Sequence, residues 1–301
     1  MKIGVMGAGA VGCYFGGMLA MAGHDVVLVG RPAFVLQAER YGLRLDRHTN
    51  TLSVPVRASV DPAPLQECDL VLFCVKSTDT ESAGQTIAPF ITPQAVVLSF
   101  QNGVDNAGRL AAVLGRAVEA VAVYVATDMA GPAHVRHHGR GDLILADQPS
   151  LDTVAALFQM ADIPVARSVN VAEALWQKLI VNCAYNALSA ISGLPYGRFT
   201  PVDGVHAVIT QVIDECLAVA SALGQKLEDR RDQVFALARQ MPDQYSSTAQ
   251  DLGRGRHTEI EHLNGYVVRK GAEMGIATPA NLTLLTLVRI LESKMAQGAT
   301  P

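Results

Sequence analysis

From Lys2 to Arg167, short apolar runs rich in β-branched residues alternate with longer stretches of helical periodicity. KIGVMG, DVVLVG, LVLFCV, AVVLSF, AVAVYV and IPVAR have strand length and composition, which predicts βαβ units around a parallel sheet. The span from Gly42 to Val56 interrupts that rhythm: LRL and LSVPV flank a polar DRHTN, predicting an inserted hairpin. A second hairpin is predicted from Val135 to Leu145, turning at HGRG. Beyond Arg167 the pattern changes. Asn170 and Glu173 have the spacing of an N-cap and capping box, and helical periodicity then dominates. The fold class predicted is α/β over residues 1–168, followed by an all-helical domain over 169–301.

One helical stretch, WQKLIVNCAYNALSAI, is apolar apart from a regular polar series: Lys178, Asn182, Asn186 and Ser189. An i, i+4 step drifts only ~40° around a helix axis, so these side chains form one stripe. A buried ammonium or amide without a partner costs several kcal/mol, so the stripe faces water, other polar groups or a ligand. A solvated face and a cleft wall both satisfy that condition.

Composition narrows the classes. The 301 residues suit two domains, half of them are hydrophobic, and a net charge of −4 offers no basic face for nucleic acid or an anionic membrane. No apolar run approaches the ~20 residues that span a bilayer. Strand-like sequence starts at Lys2, which leaves no room for a signal peptide. Five cysteines without a CxxC spacing suggest reduced thiols in a cytoplasmic protein.

Chemistry enters at GAGAVG, residues Gly7, Ala8, Gly9, Ala10, Val11 and Gly12, placed between the first strand and an apolar helix. The first glycine permits a tight turn, the second lets backbone approach a pyrophosphate, and the third lets helix pack on strand. Dinucleotide binding follows, against the alternative of a purely structural glycine turn. The second strand ends in Gly30 and Arg31 rather than a carboxylate, and Asp25 lies at its opposite end. A guanidinium there can pair with a ribose 2′-phosphate, pointing to NADP(H); the alternative is a surface arginine. Lys76, ending LVLFCVK, sits at a carboxyl edge where ligands of open α/β sheets bind, although a solvated lysine fits equally.

Asn102 in SFQNGVD also follows a strand, but Asn-Gly is first a turn signal. Ser246 and Ser247 after Pro242 read as helix-start residues, and Gly253 and Gly255 should break the helix before Glu259. By periodicity alone Glu259 is a helix-surface carboxylate. On a strand, His134 and His138 would share one face and His137 the other, a poor metal triad, so no metal is predicted.

Taken together, the chain resembles the ketopantoate reductase (2-dehydropantoate 2-reductase) family. The resemblance rests on GAGAVG, the lysine in VK, QNGV, LWQKLIVNCAYNALSA, and RHTEIEHLNGYVVRKG followed by GIATP, and covers nearly the whole length. It implies an N-terminal Rossmann domain and a helical C-terminal domain, with NADPH and a 2-oxo acid in the intervening cleft. It implies that Lys178 is the general acid, and that Asn102, Asn182, Asn186 and Ser247 contact substrate with it. Asn102 would also lie on the nicotinamide side. Glu259 would hold the polar end of the site near the cofactor, and Ala126 would line the cofactor pocket. Tyr196 stands where some members have a substrate-contacting asparagine, and Gln244 where an asparagine precedes the serine pair. Those departures leave the oxo acid open among paralogous reductases. Other readings are a cofactor-sensing protein without catalysis and a β-hydroxyacid dehydrogenase. Oligomeric state is open, a homodimer included.

Overall fold

A computed structural model describes residues 1–47 and 50–296. The chain divides into two compact units, Met1–Val171 and Ala172–Pro301.

The first unit contains β1 (Lys2–Met6), α1 (Ala10–Met21), β2 (Asp25–Val29), α2 (Pro32–Tyr41), β3 (Leu43–Arg47), β4 (Asn50–Val54), β5 (Arg57–Ser59) and β6 (Leu70–Phe73). It continues through α3 (Thr80–Ile87), β7 (Val96–Ser99), α4 (Asn106–Leu114), β8 (Glu119–Ala120), β9 (Ala122–Gly131), β10 (His134–Ala146), α5 (Asp152–Met160) and β11 (Val165–Ser168). Six strands form a parallel sheet in the order β5-β2-β1-β6-β7-β8. Counted within that sheet the order is 3-2-1-4-5-6, the doubly wound dinucleotide-binding arrangement. Its four central strands, β1, β2, β6 and β7, are buried on both faces, which explains their unbroken apolar runs. Val26, Leu28, Leu70 and Leu72 join a core with α1 and the second sheet, while Val27, Val29, Val71 and Phe73 pack with residues of α3 and α4.

The second sheet runs β11-β10-β3-β4, with β9 also pairing β10. The inserted hairpin of β3 and β4 is present and antiparallel, but His48 and Thr49 of its expected turn lie outside the described residues. The other hairpin differs from expectation. HGRG is no turn: it lies inside β10, where β9 pairs through two register shifts, and Gly139, Arg140 and Gly141 take positive φ. The turn falls at Pro132–Ala133 instead.

This bulged ribbon fixes a buried charge. Asp128 accepts hydrogen bonds from Arg136 (3.1 and 2.6 Å) and lies 2.6 Å from His138 Nε2. Burial pushes its carboxyl up, but the bonds from Arg136 and His138 outweigh that and lower it to about 2. Such a group adds stability above the ordinary carboxylate range, and the contribution disappears as pH falls towards 2. Asp128→Asn should therefore lower stability by at most about 2 kcal/mol at neutral pH. In thermal unfolding, the Tm gap between parent and variant should close between about pH 4 and pH 2. A gap unchanged across that window would refute the assignment.

The second unit is helical: α6 (Val171–Ser192, its first residue belonging to the other unit), α7 (Tyr196–Phe199), α8 (Val205–Ala222), α9 (Arg231–Gln240), α10 (Ser247–Gly253), α11 (Asn264–Glu273) and α12 (Pro279–Ala296). The expectation that no segment approaches membrane-spanning length needs correction. Among the described residues α8 is long and apolar enough, with mean hydropathy 1.3 over 18 residues. Its buried side nevertheless includes Glu215 among Ile209, Val212, Ile213, Cys216 and Val219, and it packs on α11 and α12. That is the pattern of a core helix holding a polar anchor.

Candidate active site

In the first unit, predicted nucleotide-binding residues gather at the carboxyl edges of adjacent strands. Gly7 has φ +104°, and a Cβ there would stand 2.8 Å from Val75 N. A Cβ on Gly12 would overlap the carbonyl oxygen of Gly7, so the third residue of α1 has to be glycine. Gly9 differs from both: a Cβ there would meet nothing within 4 Å. Gly9 caps the N-terminus of α1 with no side-chain hydrogen bond, and the first turn holds no acidic residue. Open space above a positively polarised helix start fits a pyrophosphate. Ala8, Ala10 and Val11 complete the loop, half-buried.

Gly30 is required by the same packing, since its Cβ would lie 2.7 Å from that of Ala8. Arg31 follows at the carboxyl end of β2, exposed and in extended conformation. Asp25 stands at the other end, opposite Lys2 in register and 3.3 Å from Arg57.

Lys76 and Asn102 follow β6 and β7, and both are half-buried. A buried polar network, not legible in the sequence, joins the two loops. Ser77 Oγ donates to Asn102 O (2.9 Å), and Asn106 Nδ2 donates to Asn102 O and to Ser77 Oγ. Arg109 donates to Ser77 O (3.0 Å) and Asn106 Oδ1 (2.9 Å), while Glu81 holds its guanidinium at 2.6 Å. Asn106, at the start of α4, thus sets one strand-end residue relative to the other. Ala126 lies within β9, opposite Gly139 in the second sheet.

In the second unit α6 carries the stripe, and it grades inward. Lys178 and Asn182 are half-buried, while Asn186 and Ser189 are 3% and 0% exposed. Ser189 Oγ donates past the helix end to Leu194 O (2.9 Å) and accepts from Ser246 N (3.2 Å). Ser246 Oγ donates to Asn186 O (3.0 Å) and, as N-cap of α10, accepts from Ala249 N. Asn186 Nδ2 reaches Ser247 Oγ at 3.4 Å. The serine pair is thereby docked along the deep half of the stripe, which brings Asn186 and Ser247 together.

α10 ends at Gly253, and Gly255 takes φ +64°. Glu259 is half-buried and precedes a short 3₁₀ turn, Ile260–His262, rather than lying on a helix surface. Tyr196 and Gln244 touch directly, Tyr196 N donating to Gln244 O (3.0 Å). The Tyr196 ring is buried against Tyr185 and Phe199. Beside this pair lies a groove of about 580 Å³ lined by Leu194, Pro195, Arg198, Asp243 and Tyr245. Among the described residues no cluster could hold a metal ion; His134 pairs with Asp46 at 2.6 Å, and His137 stacks on Tyr14.

Comparison with known proteins matches residues 3–150 to the profile "Ketopantoate reductase PanE/ApbA" and residues 170–292 to its C-terminal counterpart. A 2-dehydropantoate 2-reductase of Pyrococcus abyssi is 31% identical over 295 residues, 96% of this chain and 97% of that protein. The crystal structure of a PanE/ApbA family ketopantoate reductase from Ralstonia eutropha JMP134 superposes with a TM-score of 0.95 at 54% identity, covering 98% and 100% of the two chains. A D-mandelate dehydrogenase solved with NADH and anilino(oxo)acetate shares the fold at 24% identity, with a TM-score of 0.90 over 98% and 100%.

Proposed function

The chain belongs to the ketopantoate reductase family, and from that premise we propose that it reduces 2-dehydropantoate to pantoate with NADPH. The observation that carries the proposal is the graded stripe of α6, in which Lys178 leads into amides and a docked serine pair. NADPH, when bound, supplies the hydride. The glycine loop of the first unit holds the pyrophosphate, and Arg31 pairs with the 2′-phosphate. Lys76 and Asn102 contact the cofactor at neighbouring strand ends. Lys178 stabilises the charge that develops on the carbonyl oxygen and delivers the proton that completes the alcohol. Asn182, Asn186 and Ser247 orient the acid and its hydroxyl through neutral groups that do not compete for that proton. Glu259 orders the polar end of the site.

NADPH oxidation measured across a panel of 2-oxo acids tests the substrate. The expected result is the highest kcat/KM for 2-dehydropantoate. A clear preference for another oxo acid would instead support a paralogous reductase, a reading favoured by the burial of Tyr196 in an aromatic cluster. Saturable NADPH binding without turnover of any oxo acid would overturn both.

A further inference from the structure

Behind the α6 stripe lies a polar chain that the proposed reaction does not use. Asn264, fully buried at the start of α11, donates through Nδ2 to Cys183 O (3.1 Å) and to Asn281 Oδ1 (3.0 Å). Asn281, also fully buried, donates through its own Nδ2 to Glu215 Oε2 (2.8 Å). Glu215 Oε1 accepts Ala280 N (2.8 Å) and Oε2 accepts Asn281 N (2.9 Å), which anchors the first turn of α12 to α8. The orientation of each amide follows from its neighbour. Nδ2 of Asn281 must face the carboxyl group, which leaves its oxygen for Asn264, whose Nδ2 must then serve two acceptors. As a result Asn264 Oδ1 is buried without a partner. Apolar residues at both 264 and 281 would avoid that penalty, since Glu215 would keep two backbone N–H partners, so the arrangement calls for a reason beyond packing.

Position supplies the reason. Cys183 lies on α6 between Asn182 and Asn186. Glu259 sits on the segment 258–264, which α12 clamps at both ends: Thr258 N donates to Glu292 Oε1 (2.7 Å), and Asn264 bonds Asn281. We infer that Asn264 is a positioning residue, fixing the stripe of α6 against the segment that carries Glu259. The inference rests on the proposed reduction, but its geometry can be read without turnover. Trp176, the only tryptophan of the chain, packs on Tyr266 at 5.9 Å, so its emission reports the contact of α6 with α11 two residues from both Lys178 and Asn264.

Two variants of the full-length protein provide the test: Asn264→Ala and Asn281→Ala. Asn264→Ala should shift the Trp176 emission and lower kcat on the order of 10- to 100-fold, as small displacements of reacting groups do. Its Kd for NADPH should stay within about 2-fold, which a general loss of folding would not allow. Asn281→Ala removes the oxygen that orients Asn264 while Glu215 keeps the backbone N–H groups of positions 280 and 281, and it should have the same effect. Unchanged emission and kcat in folded Asn264→Ala would overturn the inference. If that variant does not fold, unchanged emission and kcat in Asn281→Ala overturn it instead. A parent protein that turns over no oxo acid would defeat the proposed function alone, leaving the emission data to decide the positioning role.

Discussion

Replacing Lys178 with alanine should lower kcat by about 10²- to 10⁴-fold, the usual contribution of a positioned general acid. The expectation follows from what the proposed reaction lacks without it. Hydride addition leaves negative charge on the carbonyl oxygen, and the rest of the stripe offers amides and a hydroxyl, which can hydrogen-bond that charge but are poor proton donors near neutral pH. Lys178 is only half-buried, so its removal opens no large cavity and the fold should survive. The predicted signature is a loss in kcat with Kd for NADPH changed by less than about 3-fold. Partial rescue by added primary amines would mark the lost group as the proton donor. An unchanged kcat would remove Lys178 from the mechanism.

Arg31→Ala should separate the two nicotinamide cofactors. A guanidinium paired with a phosphate contributes about 1.5–3 kcal/mol, so NADPH affinity should fall by about 10- to 100-fold. NADH has no 2′-phosphate, and its binding should change little. The position supports a selective effect: Arg31 is exposed at the carboxyl end of β2, beyond a glycine whose missing side chain lets the phosphate loop approach. Equal losses for both cofactors, measured by fluorescence titration, would refute the 2′-phosphate role.

The features legible in the sequence were those with local causes. Strands buried on both faces read as apolar runs, the glycine loop reads from steric need at Gly7 and Gly12, and the stripe of α6 reads from helical spacing. HGRG misled because glycines at positive φ serve bulges as well as turns, and β10 uses them for bulges. Spacing showed Ser189 only as the last member of the stripe, and not that it bridges Leu194 and Ser246, the latter 57 residues away. The contacts of Asn264, Asn281 and Glu215 had no local signal, because their partners lie 17 to 81 residues away in the chain. Asn106 was hidden for two reasons: its partner Ser77 lies 29 residues away, and a helix-start asparagine after Asn-Gly looks like ordinary turn chemistry.

The grading of α6 also bears on how such an enzyme could change over time. Lys178 and Asn186 are two helical turns apart, about 12 Å along the axis. The deep end is bordered by the chain around Leu194 and by the serine pair, and the paired positions 196 and 244 lie beside it. On the proposed mechanism, substitutions there can alter which acid is accepted without disturbing Lys178, the residue assigned to protonate it. A lineage built on this helix could diversify its substrates through two short loops and inherit its chemistry unchanged.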